Sequence, residues 1–148
     1  MAKRLTNRKI LITGGGAGIG RECVNQCIDE GATVAVLDQD INDLEGAIEK
    51  NGLANCILPI KVEISNLEQV ATGVEQAALK LKGLDGIVNS AGIDLFTSFD
   101  QMNWDDWNRI LAVNLSGAMH VCYQALPYLK SSSHSSIVNI SSGAGLLP

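Results

Sequence analysis

The sequence predicts an α/β fold, a doubly wound parallel sheet covered by helices on both faces. Three observations predict it. Five short apolar runs alternate with segments whose apolar residues recur at helical spacing, which is the pattern of strands buried on two faces and of the helices that bury them. The turn after the first run, TGGGAGIG, is crowded with glycine. The second run closes on an aspartate.

The elements follow in order. Lys9 to Thr13 (KILIT) and Thr33 to Leu37 (TVAVL), the latter closed by Asp38, have the length and composition of buried parallel strands. Between them, Ile19 to Glu30 sets Ile19, Cys23, Cys27 and Ile28 along one predicted helix face, with Gly31 as the stop. Ile41 to Lys50 reads as a helix and Cys56 to Val62 as a third strand. Asn66 to Lys82 is a longer helix carrying Leu67, Val70, Val74, Ala77, Ala78 and Leu81. Gly86 to Asn89 (GIVN) is a fourth strand. Asn103 is placed to cap the next helix, with Asp106 three residues on, and that helix runs to about Leu129. After the polar loop SSSHSS, Ile137 to Ile140 is the fifth strand. Right-handed crossovers between parallel strands lead to the order 3-2-1-4-5 in one domain over residues 1–148.

Composition narrows the partners. Eleven basic residues against 16 acidic ones leave a net charge of −5, which disfavours nucleic acid and anionic membrane surfaces. The basic start MAKRLTNRK precedes ILITGGGAGIG, but that apolar stretch is too short and too broken by glycine for a secretory signal. No run is long enough to cross a bilayer, and a cytoplasmic location is expected. Cys23, Cys27, Cys56 and Cys122 lack CxxC spacing, and His120 and His134 add no ligand pattern, so no metal is expected. Cys23 and Cys27 read as small buried apolar residues.

The glycine turn sits between a strand and a helix, where backbone N–H groups converge on an anion, and a phosphate is its natural occupant. Gly15 to Gly20 has the glycine spacing of a P-loop but continues with Arg21 and Glu22 in place of Lys and Ser or Thr. The strict GxGxxG pattern also fails, because its last position falls on Ile19 or Arg21. The pattern that fits is GxxxGxG, on Gly14, Gly18 and Gly20. Asp38 follows at a distance that suits an acid meeting an adenosine ribose. Its carboxylate would accept from the ribose hydroxyls and repel a 2′-phosphate. No Arg follows Asp38 or lies within the glycine turn, which favours NAD(H) over NADP(H). The competing reading of Asp38 is an acidic helix-cap residue that touches no ligand.

Further along, Asn114, Ser116 and Gly117 are three poor helix formers in four residues. They read either as a weak point carried by good packing or as a local distortion that exposes a carbonyl.

Taken together, these spacings resemble the short-chain dehydrogenase/reductase family. TGGGAGIG is similar to its TGxxxGxG cofactor loop, VNSAG (Val88 to Gly92) to its NNAG motif, VNLSG (Val113 to Gly117) to the segment with its catalytic Asn, and IVNISSGAG to the strand bearing its catalytic Ser. The resemblance implies a Rossmann-like fold and an NAD(H)-dependent oxidoreductase that interconverts a secondary alcohol and a carbonyl. It implies that Gly14, Gly18 and Gly20 hold the pyrophosphate with Ile19 nearby, and that Asp38 holds the ribose. Glu63 stands where the family usually has an Asp toward adenine, with Ile64 after it. Asn89, Ala91 and Gly92 would line the cofactor, Ser90 replacing the motif's second Asn, and Asn89 is also expected to tie adjacent loops together by side-chain hydrogen bonds. Asn114 would be the catalytic-site Asn and Ser142 the catalytic Ser, with a small-molecule alcohol or carbonyl as substrate and a homo-oligomer, dimer or tetramer, in the full-length form.

In this family a Tyr and a Lys of YxxxK handle the proton, about a dozen residues beyond the Ser. Tyr123 is followed by Pro127 and Tyr128 by Ser132 at the Lys position, so neither begins that motif. The expectation is an N-terminal part of a longer single-domain enzyme, inactive by itself, with the apolar ending LLP and the fifth strand left uncovered.

Overall fold

A computed structural model describes residues 3–95 and 97–143; the expected uncovered ending LLP lies outside the described residues. The strands are Lys9–Thr13 (β1), Thr33–Asp38 (β2), Ile57–Lys61 (β3), Gly86–Asn89 (β4) and Ser136–Asn139 (β5). They form one sheet in the order β3-β2-β1-β4-β5, and each neighbouring pair is parallel. The expected Rossmann-like topology is the observed one. Strand boundaries shift by a residue: β2 includes Asp38, β3 is trimmed at both ends, and β5 begins and ends one residue earlier than the apolar run suggests.

Side chains alternate across the sheet as strand geometry requires. Ile10, Ile12, Val34 and Val36 face one layer, where they meet Val24 of helix Gly18–Asp29 (α1) and Leu44 and Ile48 of helix Asn42–Asn51 (α2). Leu11, Ala35, Leu37 and Ile87 face the other, against Val70, Val74 and Ala77 of helix Leu67–Leu81 (α3) and Val121 and Ala125 of helix Ala118–Ser131 (α5). Two-sided burial explains why β1 and β2 read as unbroken apolar runs. Cys23, Cys27 and Cys56 pack partly buried against the first of these layers. Burial, with Cys23 adding to it, pushes the Cys27 thiol up, so it stays protonated and a weak nucleophile at neutral pH.

The helix faces depart from periodicity in instructive ways. Ile19 was expected on the buried face of α1 but is 64% exposed, and the residues that bury are Gly20 and Val24. Lacking a side chain, Gly20 lets the helix press onto the backbone of Gly14, and that contact sets which face meets the sheet. Leu67, at the first turn of α3, is likewise exposed. Asn103 caps as expected: its Oδ1 accepts from Asp106 N–H at 2.8 Å, starting helix Trp104–Leu111 (α4). The single long helix expected from there is α4 and α5 joined by a π-helical segment, Ala112–Gly117. The weak helix formers Asn114, Ser116 and Gly117 therefore mark a real distortion.

At the N-terminal edge of the sheet, Asp85 ties β1 to the entry of β4. Its Oδ1 accepts from Lys9 N–H at 3.0 Å and lies 2.9 Å from Arg8 Nε. No described helix is long and apolar enough to cross a membrane.

Candidate functional site

The site forms where the sheet order reverses, with β2 on one side of β1 and β4 on the other, the place where open α/β sheets bind ligands. A cleft of about 390 Å³ opens there. One wall is the glycine turn: Gly14, Gly18, Ile19 and Gly20 all line it, with the exposed Ile19 side chain turned toward it. Helix α1 begins at this wall behind Ala17, without a side-chain cap and with no acidic residue in its first turn. By contrast, α3 and α4 are capped by Asn66 and Asn103. The N-terminal donors of α1 are thus left for an anion in the cleft, which the helix dipole also favours.

Asp38, Glu63 and Ile64 come from the ends of β2 and β3, and Ala91 and Gly92 from the segment after β4; all five line the cleft. The Asp38 carboxylate accepts from Gly16 N–H at 2.8 Å and from Asp40 N–H at 3.1 Å, one bond to each oxygen. Glu63 turns one oxygen back on its own loop, accepting from Ser65 Oγ at 3.0 Å and Ser65 N–H at 3.3 Å. Its other oxygen carries no such bond among the described residues.

Asn89 lies behind the cleft wall rather than in it. It is 5% exposed, and its Nδ2 donates to Asn139 Oδ1 at 2.8 Å and to Cys122 Sγ at 3.3 Å. It ties β4 to β5 and to α5. Asn114 is also outside the lining, bonded twice to the backbone of Ile93: Ile93 N–H donates to its Oδ1 at 2.8 Å, and its Nδ2 donates to Ile93 O at 2.9 Å. Ser142 is exposed just past β5. It stands at the same end of the sheet as the cleft, since Ile140 N–H donates to Asn89 O at 2.9 Å and Ile140 is a cleft residue.

Three contributions were not found by motif spacing. Arg109 of α4 lines the cleft one turn before Val113, another lining residue, and it is the cleft's basic side chain among the described residues. Helical spacing would have found Arg109 once Val113 was placed. Thr13 is the third. Buried to 1%, its Oγ1 accepts from both Ser90 N–H and Ala91 N–H at 3.1 Å, so the end of β1 holds the cleft-lining loop after β4. A Thr13→Val variant keeps the shape but leaves two donors unmet, and is expected to lose about 2 kcal/mol. Chemical denaturation measures this; a midpoint within error of the parent would show that water replaces the hydroxyl.

The comparisons with known proteins agree with this geometry. The family model described as short chain dehydrogenase matches residues 8–148. Among curated proteins, the chain is 33% identical over 144 residues to 3-oxoacyl-(acyl-carrier-protein) reductase FabG of Thermotoga maritima, covering 97% of this chain and 58% of that one. It is 34% identical over 149 residues to 2-(S)-hydroxypropyl-CoM dehydrogenase 3 of Xanthobacter autotrophicus, covering 99% and 58%. Among solved structures, a short-chain dehydrogenase/reductase (glucose/ribitol dehydrogenase) from Brucella melitensis superposes with a TM-score of 0.92 at 32% identity, covering 99% of this chain and 61% of that one. The chain spans less than two thirds of the length of these relatives. With the sheet order, the glycine turn and the family match in agreement, the chain belongs to the short-chain dehydrogenase family of oxidoreductases.

Proposed function

We propose that this chain binds NAD(H), in preference to NADP(H), as the cofactor-binding part of an oxidoreductase that interconverts a secondary alcohol and a ketone or other carbonyl. Members of the family bind nicotinamide nucleotides. The observation that carries the reading is the pairing, in one cleft, of an uncapped helix N-terminus with the carboxylate of Asp38.

When bound, the nicotinamide supplies or accepts the hydride. The chain's own residues do the rest. The bare backbone of Gly14, Gly18 and Gly20 and the first N–H groups of α1 hold the pyrophosphate. Asp38 accepts hydrogen bonds from the adenosine ribose and meets a 2′-phosphate with like charge. Glu63 and Ile64 border the adenine, Glu63 with the oxygen that Ser65 leaves open. Ala91 and Gly92 flank the cofactor beyond β4, where Thr13 and Asn114 fix the backbone. Ser142 donates a hydrogen bond to the substrate oxygen, which stabilises charge developing there. The 148 residues contain no YxxxK, and no proton donor is assigned within them.

Self-association in the full-length form belongs to this reading. It is supported by exposed apolar residues at helical spacing, Leu115, Met119, Tyr123 and Leu126. A second reading is a nucleotide-binding module without catalysis, for which the glycine turn and Asp38 in one cleft suffice.

The test gives the full-length protein NAD and a panel of secondary alcohols and follows reduced-nicotinamide absorbance. Turnover is expected, and Ser142→Ala should lower it about a hundredfold while NAD affinity stays within about twofold. Binding of NAD without turnover on any alcohol would establish the module instead. Equal losses of turnover and affinity would make Ser142 structural.

A further inference from the structure

We infer that Gly16 is a specificity-determining position: its N–H and its missing side chain together set where the Asp38 carboxylate stands, and so how strongly the cleft discriminates against an adenosine 2′-phosphate. The inference rests on the reading of the cleft as a nicotinamide dinucleotide site. None of the motif glycines is involved, because Gly16 occupies a variable position of TGxxxGxG.

The geometry is unusually tight. Gly16 N–H donates to Asp38 Oδ2 at 2.8 Å. A Cβ on Gly16 would fall 2.8 Å from that same oxygen, 3.0 Å from Asp38 Cγ and 2.5 Å from the carbonyl oxygen of Asp40. The carboxylate therefore occupies the space that any other residue at position 16 would fill. Asp40 N–H takes the second oxygen at 3.1 Å, so the carboxylate is held by two backbone donors. No cation pairs with it among the described residues. A carboxylate fixed this way keeps its full negative charge facing the cleft, with lone pairs left for a ribose hydroxyl. A phosphate ester at the same place meets that charge with no cation between them.

A methyl group at position 16 must displace the Asp38 carboxylate, the Asp40 loop or both. The first breaks the Gly16 hydrogen bond, the second draws Asp40 N–H off the other oxygen, and each swings the charge off the ribose position. Gly16 is thus a positioning residue that acts through Asp38, and the two positions are energetically coupled.

The test is a double-mutant cycle on the full-length protein, read by calorimetry with two probes, ADP-ribose and 2′-phospho-ADP-ribose. The parent should bind ADP-ribose more tightly. Gly16→Ala should weaken ADP-ribose about tenfold or more, the scale of a lost hydrogen bond to a charged group, and shrink its preference over the phosphorylated probe by a similar factor. In an Asp38→Ala background the contact with Asp40 O remains, so Gly16→Ala should weaken both probes alike and leave the ratio of their affinities unchanged within about twofold. A merely structural role would weaken both probes alike with Asp38 present, and a change of preference that persisted without Asp38 would place its origin elsewhere; either result overturns the inference. A second measurement needs no change at position 16: amide exchange of Gly16 followed by NMR should speed up about tenfold in Asp38→Ala, and an unchanged rate also overturns it. If the parent binds neither probe, the proposed function fails together with this inference; if the parent prefers ADP-ribose but Gly16→Ala keeps that preference, only the inference fails.

Discussion

Gly20→Ala is expected to lower stability by about 3 kcal/mol or more and to abolish cofactor binding, because the added methyl group would collide with the carbonyl oxygen of Gly14. The obstacle is backbone, not a flexible side chain, so it cannot be relieved by a rotamer change. The same Cβ position lies 2.7 Å from Gly14 C and 3.2 Å from Gly15 Cα, so the helix and the turn must separate. The turn cannot retreat either. Gly14 has a φ of 69° and is packed so closely on the loop after β4 that its own Cβ would lie 2.7 Å from Ala91 Cα. Helix, turn and loop are three layers of backbone stacked without side chains between them, and a methyl group in the stack pushes the cleft wall out of place. Gly18→Ala is the matched comparison. At φ 54° it carries the left-handed penalty of about 1–2 kcal/mol, but nothing lies within 4 Å of its Cβ. Thermal unfolding should therefore drop by about 10 °C for Gly20→Ala and clearly less for Gly18→Ala. Equal drops would show that the turn yields to the methyl group, so that close packing at position 20 costs no more than the left-handed backbone at position 18.

That contrast shows which parts of the site were legible in the sequence. Glycine spacing pointed to the turn that forms one wall of the cleft, and the Asp closing the second strand pointed to a charged neighbour, because both are local consequences of a strand-turn-helix unit. The sheet order was legible for a similar reason: alternation of strands and helices leaves few right-handed arrangements. What periodicity could not supply was the rotation of each helix about its axis. Ile19 and Val24 both sit at plausible core positions, and only the contact of Gly20 with Gly14 decides that Val24 buries while Ile19 faces the cleft.

Contacts between distant segments were the least legible. Thr13 is an ordinary strand residue by composition, yet it holds Ser90 and Ala91. Arg109 reaches a cleft whose acids come from β2 and the loop after β3, and nothing in its own neighbourhood advertises that approach. Asn89 reads on its motif as a cofactor-lining residue that also ties adjacent segments together, and its hydrogen bonds to Asn139 and Cys122 supply the partners of that tie, which the sequence alone could not name.

Asn114→Ala is expected to cost about 2 kcal/mol, the sum of two net hydrogen bonds, and to weaken NAD binding measurably although Asn114 does not line the cleft. The reason is where the π-helical segment touches the site. Asn114 holds the backbone of Ile93 through both its N–H and its carbonyl, and Ile93 is a cleft residue. Three residues on, Gly117 packs so near Ile64 that a Cβ there would lie 3.0 Å from two Ile64 side-chain carbons, and Ile64 lines the cleft as well. The distortion is thus the stretch where the α4–α5 helix is fastened to the cleft wall at both Ile93 and Ile64. A regular α-helix here would change the phase between positions 114 and 117 and could not keep both attachments. Asn114→Leu, which preserves volume but offers neither donor nor acceptor, should behave like Asn114→Ala in urea unfolding and in NAD calorimetry. Asn114→Asp keeps the acceptor for Ile93 N–H but sets a carboxylate against Ile93 O, so it should recover only part of the loss. If the proposed function holds, all three variants should lower turnover of the full-length protein more than NAD affinity, since the loop they release borders the cleft on the side of Ser142 and Ile140. If Asn114→Leu matched the parent in stability and binding, the two hydrogen bonds would be incidental, and the π-helical segment would owe its shape to Gly117 and Ile64 alone.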